Sequence, residues 1–353
     1  MTTAIWESPV QVPALSADNE RKPASVEPLT EMSSEAVERW RQLFHADPEA
    51  YAQYLQGRYF WNKRDVASMR KGLEYFDRAI ALDPSFALAH AAIAQTWAVF
   101  EVNSYVPPKQ GTVQAKAAAQ RALEIDPSIA EAWAALGLVA GLSDRAWQES
   151  ESLLQKAIAA NPSAATTYGW YGNVLTAQGK LTEAAAMLDR AEQLDPLSIA
   201  IKNTRGEVAY YARDADKILS LARAIEELDP QRDEVPSLRA RAHLLRGELD
   251  QYDRAVQLMR DSVLRDYFVV GSAAVRRAHA FRAQADRLSR TPNVNAYVMA
   301  ILFAWAGDRD AAFAWLDRSY ATGESTLTSV AVEPAFDTLR TDPRYVALLK
   351  KMD

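Results

Sequence analysis

Small and apolar residues return along this chain in a fixed order, and the order is that of paired helices. An acidic or amide residue followed by proline occurs at Asp47-Pro48, Asp83-Pro84, Asp126-Pro127, Asn161-Pro162, Asp195-Pro196 and Asp229-Pro230, at spacings of 36, 43, 35, 34 and 34 residues. Five residues before the proline stands Ala79, Ala122, Ala157 or Ala191, and twelve before it Gly72, Ala115, Ser150 or Ala184, always small. Six residues after it comes Tyr54, His90, Trp133 or Tyr168. A glycine falls inside the first helix of the unit at Gly57, Gly137, Gly172 and Gly206. Glycine within a helix costs on the order of 1 kcal/mol against alanine, so its return predicts a close approach of the two helices of each pair. The proline disfavours helix in the residue before it and pre-sets the first turn of the next. Asp83, Asp126 and Asp195 are therefore placed either to end one helix or to cap the following one.

A period near 34 residues built from two helices is that of the tetratricopeptide repeat. The predicted fold is all-α: a right-handed superhelical solenoid of about six to seven helix-turn-helix pairs with capping helices, the first helix of each pair lining the concave face. Two departures stand out. About nine residues are added between Pro84 and Pro127, best placed in a loop over Glu101–Gly111 with Pro107-Pro108. In the unit ending at Pro230 the small places hold Ile218 and Ile225 while the large place between them holds Ala222, which predicts a repacked seam.

Four stretches follow. Residues 1–32, rich in Pro, Ser, Thr, Glu and Ala without periodicity, read as a flexible leader. Residues 33–230 form the main array, its first helix starting at Ser34 and running through Val37, Trp40, Leu43 and Phe44, with five clear pairs over 49–230. Residues 231–291 are irregular, with one pair turning at Gly247 and burying Tyr252, Val256 and Met259. Residues 292–353 hold a last pair, Tyr297 to Tyr320 with Gly307-Asp308 as its turn, and a terminal helix from Ala335 to Met352 that covers it.

Composition narrows the chemistry. A formal net charge of −6 argues against a general nucleic-acid binder, and with no cysteine there is neither a disulfide nor a thiolate site. The first thirty residues lack a basic and an apolar signal region, and no apolar run approaches the roughly 18 residues a membrane span needs, so the expected location is cytoplasmic. The four histidines, His45, His90, His243 and His279, have no second ligand one turn away, and His90 occupies the aromatic place of its unit, where it is expected to pack. Asp214/Asp216 and Asp308/Asp310 are spaced carboxylates in turns, expected to cap. No nucleophile elbow, phosphate loop or zinc motif occurs. The chain is read as non-catalytic, with no metal and no cofactor.

Three strings are more specific than the period: Tyr54–Tyr59 with Trp61, Lys71–Ala87 (KGLEYFDRAIALDPSFA) and Val332–Met352 (VEPAFDTLRTDPRYVALLKKM). They resemble the tetratricopeptide region that follows winged-helix, protein kinase or adenylate cyclase domains in bacterial signalling proteins, over roughly residues 49–352. The resemblance implies a sensory or partner-docking role and carries no shared catalytic motif. No effector domain of that kind precedes residue 33, so the expectation is a free-standing relative or part of a longer regulator. Tetratricopeptide domains that grip a carboxylate tail resemble one another in a Lys/Asn clamp, and the corresponding places here hold Tyr54/Arg58, Ala91/Gln95 and Ala134/Leu138, so a co-chaperone is not expected.

The inward places of the first helices supply the candidate partner site: Arg58, Trp61, Asn62, Gln95, Trp170, Asn173, Asn203, Glu207, Tyr210 and Tyr211. Aromatics with arginine dominate interface energetics. Arg276, Arg287 and Arg290 are expected on one helical face as a dock for an acidic partner. The leading expectation is a scaffold or adaptor holding a protein or peptide in an open concave groove; self-association through 231–291 is a further one. The alternative is a ligand-sensing module acting on a separate signalling or transcription effector. A deep polar pocket at Asn173, Asn203 and Glu207 would favour sensing, and a long open aromatic groove peptide binding.

Overall fold

Proline and the acidic or amide residue before it end the even-numbered helices. A computed structural model describes residues 46–291 and 294–352, and in it the chain runs through helices α1 Pro48–Asn62, α2 Val66–Leu82, α3 Ala87–Val102, α4 Gln110–Ile125, α5 Ala130–Leu142, α6 Trp147–Ala160, α7 Ala165–Ala177, α8 Leu181–Leu194, α9 Ile199–Tyr211 and α10 Ala215–Leu228. Asp83, Asp126, Asn161, Asp195 and Asp229 each terminate a helix in extended or near-extended backbone. Four of these side chains then accept a hydrogen bond from the amide two residues on, at 2.8–3.0 Å for Ser85, Ser128, Ser163 and Gln231. The turn is made by the side chain itself. The leader over 1–32, the helix from Ser34, and His45 lie outside the described residues.

The aromatic place six residues on has a second reason. His90 Nε2 lies 3.2 Å from Pro84 O, Trp133 Nε1 donates to Pro127 O at 2.9 Å and Tyr168 OH to Pro162 O at 3.2 Å. The ring packs while its polar tip satisfies the carbonyl left open at the turn. The helical glycines mark contacts between helices. A Cβ on Gly57 would lie 2.3 Å from Phe76, one on Gly137 2.7 Å from Leu154, and one on Gly172 2.8 Å from Leu188. Gly206 breaks the series: its neighbour is Leu238 at 2.5 Å, from the next pair, because the place that should fill it holds Ala222. Ile218 and Ile225 are fully buried around that exchange. The seam is repacked, as large for small.

The irregular stretch is helical too: α11 Glu234–Leu245, α12 Leu249–Gln257, α13 Ser262–Val275 and α14 Phe281–Leu288. Gly247 turns the first of these pairs in left-handed backbone, and Tyr252, Val256 and Met259 are buried. The last pair is α15 Ala296–Ala306 and α16 Arg309–Thr322, turned at Gly307. Two short 3-10 helices, Ser325–Ala331 and Pro334–Leu339, and α17 Pro343–Met352 complete the described chain. The terminal helix expected from Ala335 is thus divided. Asp342 accepts from the Arg344 amide at 2.9 Å and Pro343 restarts the helix, while 335–339 belongs to the second short helix.

That division matters because the segment over 325–339 does not continue the stack. Its first short helix packs on α3, α5 and α7 and its second on α15. Ser325 Oγ donates to Glu101 O at 2.9 Å, Tyr210 OH to Glu333 Oε1 at 2.8 Å, and Arg213 grips Asp337 through both oxygens at 2.6 and 2.8 Å. On the other side Arg232 Nη1 reaches Lys63 O at 2.9 Å across 169 residues of sequence. The two ends of the array are tied together, and part of the concave face is covered by the chain itself.

Candidate functional site

Between the first helices and the covering segment lies a cavity of about 620 Å³. It is reached by side chains from α3, α7, α9, α11, α13, α15 and the segment 325–333. Trp170, Asn173, Asn203, Glu207, Tyr210 and Tyr211 of the candidate set line it. Their grouping follows from the repeat: α7 and α9 are first helices of successive pairs, so residues on their inward faces meet across one turn of the array.

The other four candidates are elsewhere. Trp61 is 1% exposed in the core, with Arg58 at 4.6 Å over its ring and Arg58 Nη1 donating to buried Gln95 at 3.0 Å. Asn62 is exposed at the end of α1. Arg58, Trp61 and Gln95 hold the first two pairs together. The three basic candidates do not share a helix. Arg277, at φ 48°, breaks the chain between α13 and α14, so Arg276 follows α13 while Arg287 and Arg290 lie at the end of α14 and just beyond it. Arg276 is engaged by Asp250 and Asp253, both at 2.9 Å. The spaced carboxylates act as caps: Asp214 accepts from Lys217 N and Asp308 from Ala311 N.

The cavity wall holds a polar network that periodicity does not mark. Asn203 donates to Glu207 at 3.4 Å, and Glu207 lies 3.8 Å from Arg241. Glu207 keeps 37% of its side-chain surface accessible, and that surface faces the cavity. Burial pushes its carboxyl above the usual range, against the pull of Arg241. Burial also raises Glu333, although Tyr210 OH and the Ala335 amide donate to it. Burial works against the charge on Arg241, and the acidic neighbours led by Glu207 outweigh it, so its pKa rises. Arg232 is held as a fork by Glu234 at 3.1 and 2.6 Å.

Two more wall residues come from departures in the pattern. The added residues lengthen the α3–α4 link, and Tyr105 from that link lines the cavity. Ser104 beside it accepts a 3.1 Å bond from Asn295. Glu101 rebuilds the start of α4, accepting from the amides of Lys109, Gly111 and Thr112 at 2.9, 3.0 and 3.3 Å. Arg64 occupies the α1–α2 turn in left-handed backbone, φ 62°. The extra length was a sequence signal for the wall; Arg64 and Arg241 carried none.

Among the described residues no group of His, Asp and Glu is arranged to hold a metal ion, and no helix is long and apolar enough to cross a membrane. The arrangement offers hydrogen-bonding groups, paired charges and aromatic walls, which suits binding.

Successive helix pairs with this period give the described chain the fold of tetratricopeptide-repeat proteins. In sequence the chain is similar to the transcriptional regulator HilA of Salmonella typhimurium, 23% identical over 168 residues. That match covers 48% of this chain and 30% of the relative, so the chain spans less than a third of the curated protein it matches. In fold it is similar to human IFIT1, solved as a dimer with m7Gppp-AAAA, at a TM-score of 0.55 and 12% identity, covering 81% of this chain and 76% of that one. Yeast Tom70 gives 0.50 at 19% identity over 87% of this chain and 68% of that one. At these identities the likeness is one of fold. No family model matches the chain.

Proposed function

We propose that this chain is a non-catalytic interaction module whose inner cavity binds a compact ligand in place of an extended peptide. The observation that supports this reading most is the covering of the concave face by residues 325–339, which leaves a cavity of about 620 Å³ instead of an open groove. That size falls in the range of roughly 300–1,000 Å³ typical of small-molecule sites. Asn173, Asn203 and Glu207 supply directional polar groups, and Trp170, Tyr210 and Tyr211 the walls. Because the covering segment is bonded to several repeats at once, a ligand seated against it bears on the whole superhelix. This is the sensing reading, with the output passed to a separate effector.

The test is thermal unfolding of the full chain against a library of metabolites, in the wild type and in Asn173→Leu/Asn203→Leu. A saturable rise in Tm with particular compounds, lost in an equally folded double variant, is the expected result. Binding of extended peptides that the double variant leaves intact would overturn it.

A second reading, docking of a protein partner, draws on the outer side of α1. Leu55 and Tyr59, one turn apart, are 50% and 59% exposed, and Phe60 stacks on Tyr75 at 5.4 Å beside them. Replacing Leu55 and Tyr59 by Ser would abolish capture of such a partner while leaving ligand binding unchanged.

A further inference from the structure

Six described residues other than glycine stand in left-handed backbone between helices: Ser104 and Lys109 in the lengthened α3–α4 link, and Arg64, Arg145, Arg213 and Arg277, each an arginine, in turns where Gly179, Gly247 and Gly307 serve elsewhere. A side chain there costs on the order of 1 kcal/mol, so each arginine should have a compensating contact. Arg213 has the Asp337 carboxylate, Arg145 lies 5.6 Å from the Tyr320 ring, and Arg277 packs on the Gly307 turn. Arg64 has only the face of Trp61, 3.5 Å from its guanidinium. Among the described residues no carboxylate lies within 4.0 Å of it and no hydrogen bond leaves its side chain.

This arginine is half-buried, on the wall of the cavity. Burial first, then the Arg58 charge, pulls it down to about 9, and the Asp195 charge offsets only part of this. A guanidinium keeps its proton at neutral pH, so a partly desolvated positive charge stands on the cavity wall with no carboxylate in contact among the described residues. The other two cations of the wall are matched, Arg232 by Glu234 and Arg241 by Glu207. The Tyr297 hydroxyl, whose residue lines the same cavity, is buried with no hydrogen-bond partner among the described residues.

We infer that the cavity recognises a compact organic anion, whose carboxylate, phosphate or sulfonate oxygens are gripped by Arg64 and whose aromatic or apolar body lies against Trp170 and Tyr105. This deepens the reading of the cavity as a ligand site and rests on it. Arginine matches an oxyanion as a planar fork. A polyanion is not the ligand, because the remaining charges of the wall are already paired and the chain carries a net −6.

Two fluorescent probes with one shared body decide the matter. 1-Anilinonaphthalene-8-sulfonate carries an oxyanion, and N-phenyl-1-naphthylamine is the same skeleton without it. Titrated into the full chain, the sulfonate is expected to bind at least about tenfold more tightly, the difference of one charge-assisted hydrogen-bonded contact. Arg64→Gln should reduce it to the level of the neutral probe and leave that probe unchanged, with Arg64→Lys intermediate. Asn203→Trp, which fills the cavity, should remove both. Equal affinities in the wild type, or a sulfonate indifferent to Arg64→Gln, would overturn the anion inference and leave the cavity reading standing. Binding of both probes that survives Asn203→Trp, or no binding at all, would bring down the cavity reading and this inference with it. Should Arg64→Gln fail to fold, the wild-type comparison alone decides.

Discussion

Each repeating position has one physical task, and the structure shows what it is. Small residues stand where helices touch, and the aromatic place fills the seam while its polar tip meets the proline carbonyl. These tasks were legible because they are local: each is completed within one unit or by its neighbour. The exchange at Ala222 was legible as an anomaly, yet its solution, Leu238 against Gly206, was not, because the filling residue lies outside the period. Two glycines of α7 separate the roles. A methyl on Gly172 would press on Leu188 at 2.8 Å, whereas one on Gly169 meets nothing nearer than 3.9 Å. Gly172→Ala should therefore destabilise by about 1–3 kcal/mol through overpacking. Gly169→Ala should be neutral or stabilising by up to about 1 kcal/mol through helix propensity. Urea unfolding of the two variants side by side checks this; equal effects would mean the helices do not approach as described.

Among elements, the segment over 325–339 departs most from a plain stack. The string Val332–Met352, which overlaps its second half, predicts in the sequence only a terminal helix from Ala335 to Met352 covering the last pair. The cap exists, with Tyr345 and Leu348 of α17 buried, while the residues before it serve the inner face. No periodic signal marks that role, since its partners lie 123 and 124 residues away at Tyr210 and Arg213. The Arg213–Asp337 tie makes the segment sensitive to acid. Burial works against the Asp337 carboxylate, but hydrogen bonds from Arg213 and Arg340 outweigh it and hold its pKa below the ordinary value. A carboxyl lowered in the folded state binds fewer protons there than when released. Its contribution is complete above the ordinary value near 3.8 and is lost as pH falls through the lower folded value. Glu333, raised by burial, contributes in the opposite sense: its share is present at low pH and fades as pH rises above about 4.5. Protection of residues 325–339, corrected for intrinsic exchange at each pH, should therefore fall as the pH drops below about 3.8 in the wild type. Arg213→Gln should exchange faster already at neutral pH and show a flatter acid response. Identical profiles would mean that the ion pair does not hold the segment.

For the whole molecule, closure sets what the inner face can do. An open superhelix of this length would present a long groove. Here the link of Arg232 to Lys63 and the covering segment convert it into a cavity with walls from both halves. Six of the ten inward candidates meet there, because α7 and α9 were correctly read as first helices. Arg58, Trp61 and Gln95 do not, because the first two pairs pack on one another through that face, and Asn62 lies exposed at the end of α1. Arg64, Arg241 and Glu333 went unread, since a turn residue, a position in the irregular stretch and a residue of the cap show their role only once distant parts of the chain have met. The central claim is that closure, and one measurement addresses it directly. The sequence contains no cysteine, so spin labels can be placed at exposed Ala212 and Thr338 by single Ala212→Cys and Thr338→Cys changes without other alteration. Electron–electron distance measurement on the doubly labelled full chain should give one short, narrow distribution, with the covering segment held against the α9–α10 turn. A broad distribution extending to distances comparable with the width of the superhelix would show the groove standing open and would contradict the account.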